Sequence, residues 1–141
     1  MRASAVRAAV IAAIEGITTL DSDVGGESFV EVDQMGPDDR LPERGFAVQL
    51  QAIAPPSLIT HDNQMARYLV RVFYADTPAI EDRISDDLER IIQKLYNLHA
   101  TASSGDLYAV QMEEAAVSPA AFENMLEVAI PVGITYRLTG V

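Results

Sequence analysis

His61 and His99 are the only imidazoles in the chain, and His61 is followed directly by Asp62 in the stretch "HDN". An imidazole beside a carboxylate is what a metal site or a general base draws on, but a metal needs three or four ligands converging at set spacings. The two histidines lie far apart in sequence and "HDN" supplies no such spacing, so no metal site is expected. Ser103-Ser104 and Asp106 in "SSGD" have the composition of a turn, without a base placed to activate a hydroxyl. The acid pairs Asp38-Asp39, Asp86-Asp87 and Glu113-Glu114 could share acid–base work, yet adjacent acids in an acidic chain read as solvated surface. Gly25-Gly26 is followed by neither GxxxxGK[ST] nor GxGxxG, so it cradles no phosphate. The chain has no cysteine, which excludes disulfides, thiol catalysis and Cys-rich metal centres. No catalytic residue, cofactor or metal is therefore expected, and the chain does not read as an enzyme.

Residues suited to binding remain. Arg67 and Arg71 stand four apart, on one face of a strand among neutral neighbours. They can pair with acids of their own chain or with the acidic segment of a neighbouring copy that holds Asp38, Asp39 and Glu43. "AIAPPSLITHDNQMARYLV" (52–70) begins and ends like strand, and between those ends stand Pro55-Pro56, then Leu58, Ile59 and His61. The two apolar side chains either fold back over their own core or stand on a projecting arm. Pro55-Pro56 favours the arm, because the residue before proline avoids helix and polyproline geometry is stiff.

The elements that would position these residues follow from periodicity. Val6, Ala9, Val10, Ala13, Ile14 and Ile17 predict a helix over 3–16 that ends near Gly16. Alternation predicts strands over 46–54 and 66–75, the latter apolar on both faces and thus central, with something packed on each side. Ile80, Ile84, Leu88, Ile91, Leu95 and Leu98 form one stripe of a second helix over 78–98, with Thr77 as its cap and Pro78 at its first position. A strand over 107–113, a connection over 117–124 and a long strand over 126–138 complete the chain. Pro131 in that last strand has no N–H to give, so it belongs at an edge or a bulge. Residues 18–45 are acidic and turn-rich around one short strand, Phe29–Val32. The order α-β-β-β-α-β-β predicts an α+β fold, a mainly antiparallel sheet with two helices on one face. It forms a single domain over 1–141, with an acidic insertion at about 18–45 and a hairpin arm at about 54–66.

Charge narrows the function further. There are 21 acidic and 10 basic residues, a net of −11. Residues 17–45 hold eight acids against two bases, 76–98 six against three, and 99–141 five against one. Tight binding to nucleic acid is not expected, because counterion release needs clustered Lys and Arg. No apolar run approaches the roughly 18 residues of a membrane span. "MRASAVRAAVIAAIEGITT" has Arg2 and Arg7 ahead of apolar residues, but that run closes at Glu15, so a structural helix is the better reading than a signal peptide.

The stretches "VRAAVIAAIEGI", "GFAVQLQAIAPPSLITHDNQMARYLVRVFYA", "IEDRISDDLERIIQKLYNL" and "NMLEVAIPVGITYRL" together resemble the tail terminator, or tail completion, proteins of long-tailed bacteriophages. The resemblance is one of topology and texture over nearly the whole chain, and the family has no catalytic motif to match. It implies a virion protein assembled in the host cytoplasm. That protein forms a ring, usually a hexamer, which caps the tail tube, stops its growth and joins the tail to the neck of the head. The implied partners are copies of itself, the tail tube protein and neck or connector proteins, with Pro55, Pro56, Leu58, Ile59, His61, Arg67, Arg71, Asp38, Asp39 and Glu43 as interface candidates. DNA would pass an acidic lumen without sticking. Two other readings stay open: a head–tail adaptor or stopper of the neck, and a cellular dimeric α+β ligand-binding or regulatory domain.

Overall fold

A computed structural model describes residues 1–19, 29–32, 42–54, 63–98, 106–121 and 124–138. The expected α+β architecture is present, with two helices and six strands in the order α1 (Ala3–Glu15), β1 (Val30–Glu31), β2 (Gly45–Ala54), β3 (Asn63–Ala75), α2 (Ile80–Tyr96), β4 (Leu107–Met112), β5 (Ala116–Pro119) and β6 (Met125–Arg137). In space the strands run β1-β2-β3-β6-β4, with β5 also on β6. All pairings are antiparallel except β1 with β2.

Strand alternation divides the sheet into two unlike faces. Phe46 and Val48 of β2, Tyr68, Val70, Val72 and Tyr74 of β3, and Val128 to Tyr136 at alternate positions of β6 are buried. The helices lie on that face. Val6, Val10 and Ile14 of α1 and Ile80, Ile84, Ile91 and Leu95 of α2 complete the same core. Two tyrosines tie the layers: Tyr68 donates to the Ala3 carbonyl at 2.8 Å and Tyr74 to Asp87 at 2.8 Å.

Three local features depart from the sequence expectation. The second helix starts later: Ile80 N–H donates to the Thr77 carbonyl, which closes a turn with Pro78 and Ala79 at its centre. Ala79 is the N-cap, at φ 62° with no side-chain cap bond, so Thr77 caps nothing. Proline first and a positive φ second is the type II pattern, so Pro78 serves the turn rather than the helix. The stretch expected to be a connection over 117–124 begins with β5, a short strand exposed throughout. β3 is central as expected, but the face carrying Met65, Arg67, Leu69 and Arg71 is half-buried to exposed rather than covered like the other.

Pro131 meets the other half of its expectation, a bulge. It is in a central strand, opposite Leu69 of β3. On its other side β4 ends at Met112 opposite Val132, and β5 begins at Ala116 opposite Ala129. Four chain steps thus face three, which is a bulge of one residue. Glu113 N–H donates to the Pro131 carbonyl at 3.1 Å. A strand residue's N–H and C=O point to the same side, so the missing proline donor faces the point where the neighbouring edge breaks.

Candidate assembly surfaces

The face of the sheet away from the helices is half-buried to exposed apart from Phe73, and it mixes small and apolar side chains with Arg67, Arg71 and Glu127. Residues 47, 49 and 52 of β2, 65 to 73 of β3 at alternate positions, and 125 to 135 of β6 at alternate positions share it through the strand register. Near its centre Arg67 stands opposite Gly133 in β6 and Ala52 in β2. A pocket of about 120 Å³ opens there, walled by Gln51, Met65, Arg67, Gln111, Glu113 and Gly133. Arg67 is exposed and, among the described residues, has neither an ion pair nor a side-chain hydrogen bond.

Arg71, one repeat along the same face, behaves differently. Its Nε donates to Glu127, and its guanidinium sits 5.4 Å from the centre of the Phe73 ring. The hydrogen bond to Glu127 raises the guanidinium pKa above its ordinary value. Of the two pairings open to Arg71 from sequence, this is the one within its own chain. Glu43 likewise has partners at home: Arg83 Nη1 at 3.0 Å and the Ala75 N–H at 2.8 Å. Pro55, Pro56, Leu58, Ile59, His61, Asp38 and Asp39 lie outside the described residues.

At the root of the hairpin, β2 leaves the cover of α1. Leu50 pairs with Tyr68 and Ile53 with Ala66, so both are on the helix-bearing face, yet Leu50 is 52% exposed and Ile53 44%. A shift of register between Leu50 and Ala52 inserts Gln51 between them. Two large apolar side chains thus stand in solvent where the chain leads into Pro55-Pro56. On the far edge Val117 and Tyr108 are exposed as well.

A buried ion pair was not singled out by sequence. Arg44 Nε and Nη2 reach the two oxygens of Asp87 at 2.7 and 3.0 Å, with both side chains about 1% exposed. The Tyr74 hydroxyl donates to the same carboxylate, and burial first, then Asp87, pushes its pKa well above the ordinary 10. Asp86-Asp87 is therefore not the solvated pair expected: Asp86 is exposed and Asp87 belongs to the core. The signal was available, because 80, 84, 87, 91 and 95 keep the helical spacing of the buried stripe better than 88 does. The arrangement offers no reacting group to solvent, so its role is to clamp the start of β2 to α2. Among the described residues no three His, Asp or Glu side chains gather as metal ligands. No described helix is long and apolar enough to cross a membrane.

Fold and surfaces together define an α+β protein with a two-faced sheet, one face sealed by helices and the other open. No protein-family model matches the chain, and no curated protein matches it in sequence. Among solved structures it is similar to a chain of the virion of a native gene transfer agent particle. The TM-score is 0.65 at 16% identity, over 98% of this chain and 100% of that one. At that identity the likeness establishes a shared fold.

Proposed function

We propose that this chain is a structural virion protein of a tailed bacteriophage or phage-like particle. Within that class, we propose a tail terminator whose ring, a hexamer, caps the tail tube at its junction with the neck. The observation that carries the reading is the fold shared end to end with a chain of a gene transfer agent virion. The resemblance in topology and texture read from the sequence leads to the same class. Leu50 and Ile53, exposed at the root of the arm, continue the apolar character of Leu58 and Ile59 and suit a protein completed by its neighbours. A ring is made by heterologous contacts, in which two different patches of one subunit meet those of the next. The net charge of −11 suits a lumen through which DNA slides without adhering.

The test is to add the purified chain to polymerising tail tube protein and to image the products by electron microscopy. Tubes that stop growing and carry a ring at one end support the terminator. Capture of a connector protein without the tube would instead make the chain a neck adaptor or stopper. Replacing Leu58 and Ile59 together by Ser should leave the monomer folded and impair capping. Loss of the folded monomer would place both residues in the core and remove the arm from the mechanism.

A further inference from the structure

We propose that the open sheet face around Gly133 docks a second copy of this chain, whose α2 sets its acidic outer stripe against Arg67. The inference rests on the ring reading and names the surfaces that would meet.

Gly133 supplies the first argument. Glycine in the interior of a strand weakens it, and is kept for a positive φ, a bulge or the close approach of other atoms. Its φ is not in the left-handed region, and a Cβ built there meets Met65 Sδ at 3.5 Å and Gln111 O at 3.9 Å, ordinary contacts. Its register is continuous with Arg67 on one side and Gln111 on the other, so no bulge falls on it. Nothing in the described fold needs a glycine at 133. A surface that must approach the sheet closely does.

Charge identifies the occupant. Arg67 is a cation without an ion pair among the described residues of a strongly acidic protein, and it borders the pocket above Gly133. On the other side of the molecule α2 turns Ile84, Ile91 and Leu95 to the core and exposes Glu81, Asp82, Asp86 and Glu89. None of those four has an ion pair within the described chain. A face bearing Arg67 and a helix bearing four carboxylates, all without an ion pair among the described residues, lie on opposite sides of the same subunit. Joining one to the other in the next copy is a head-to-tail contact, the kind that closes into a ring. It would also cover the open face with a helix, giving each sheet two layers instead of one.

The experiment compares the full chain with Gly133→Val, Arg67→Glu, and Arg67→Glu combined with Asp86→Arg and Glu89→Arg. Sedimentation at low and high salt, alone and with tail tube protein, gives the mass, and thermal melting by circular dichroism reports folding. Gly133→Val should melt at or above the wild-type temperature, because a β-branched residue suits the strand. It should nonetheless need at least about tenfold more protein to assemble. Arg67→Glu should assemble as poorly, the combined variant should recover, and high salt should weaken the wild-type assembly. If Gly133→Val assembles like the wild type, the inference falls while the ring reading stands. If it does not fold, the exposed Arg67→Glu decides the same question. Failure of the combined variant to recover overturns α2 as the occupant. A wild-type chain that stays monomeric even with tube protein overturns the ring reading itself.

Discussion

Arg44 and Asp87 lie 43 residues apart in sequence and meet in the core through two parallel hydrogen bonds, at 2.7 and 3.0 Å. Arg44 holds a left-handed backbone, φ 61°, in doing so. A guanidinium presents its donors as a fixed fork, which a carboxylate matches at both oxygens. Tyr74 adds a third bond to Asp87, and the Phe29 ring lies 5.8 Å from the guanidinium. The group joins the start of β2, the end of β3 and the middle of α2.

Removing one partner leaves the other charged and buried. Asp87→Ala is expected to lower stability by about 3–5 kcal/mol. The double change Arg44→Met with Asp87→Leu should lose much less, since neither charge is then left in the core. Urea unfolding followed by circular dichroism measures both.

Tyr74 links the same group to alkaline pH. Its folded pKa is raised, so the neutral phenol is favoured in the fold, while in the unfolded chain it ionises near 10. Its contribution is therefore complete below about pH 10 and declines as pH rises beyond it. Unfolding monitored against pH, with phenolate absorbance, should show one tyrosine ionising only with loss of the fold. Tyr74→Phe should remove that ionisation and, at neutral pH, lower stability by about 1–3 kcal/mol through the lost bond to Asp87.

Two strand glycines should respond oppositely. A Cβ at Gly45 would stand 3.0 Å from the Pro42 carbonyl oxygen and 3.1 Å from its Cγ. The Gly45 N–H also donates to that carbonyl at 2.9 Å, so neither side can withdraw without breaking the turn. Gly45→Ala should lower stability by about 1–3 kcal/mol, whereas Gly133→Ala should leave the isolated chain as stable or more so. Melting temperatures of the two variants at equal concentration decide it.

Ala79 carries a φ of 62°, a region where Cβ crowds the following carbonyl oxygen. Ala79→Gly should raise stability by about 1 kcal/mol without altering the helix it precedes. A rise in the denaturant midpoint with an unchanged slope would show this.

Periodic residues made most of the fold legible. The stripe from Ile80 to Leu98 and the alternation from Leu126 to Leu138 are long, and each buries one face, so sequence alone places them. β5 was missed because Ala116, Val117, Ser118 and Pro119 bury nothing and so have no pattern to show. Its position comes from β6, which offers its backbone whatever the side chains are. The turn at Pro78-Ala79 was misread because proline serves a turn and a first helical position equally well. Arg44 with Asp87 could not be paired from sequence: helical spacing turns Asp87 inward, but nothing local marks Arg44 as its partner. Among the interface candidates Arg67 and Arg71 look identical in sequence. They separate because Glu127, 56 residues further on, pairs with Arg71 across the sheet, whereas Arg67 has no ion pair among the described residues.

The break opposite Pro131 has a consequence for how these molecules aggregate. An uninterrupted outer strand is a template on which identical chains can stack into fibrils. Here that strand is divided by the bulge at 113–115, and its second half is four residues long and ends in Pro119. It gives a stray chain no continuous ladder to join. Along this side, copies of the chain are thereby guarded against solidifying edge to edge.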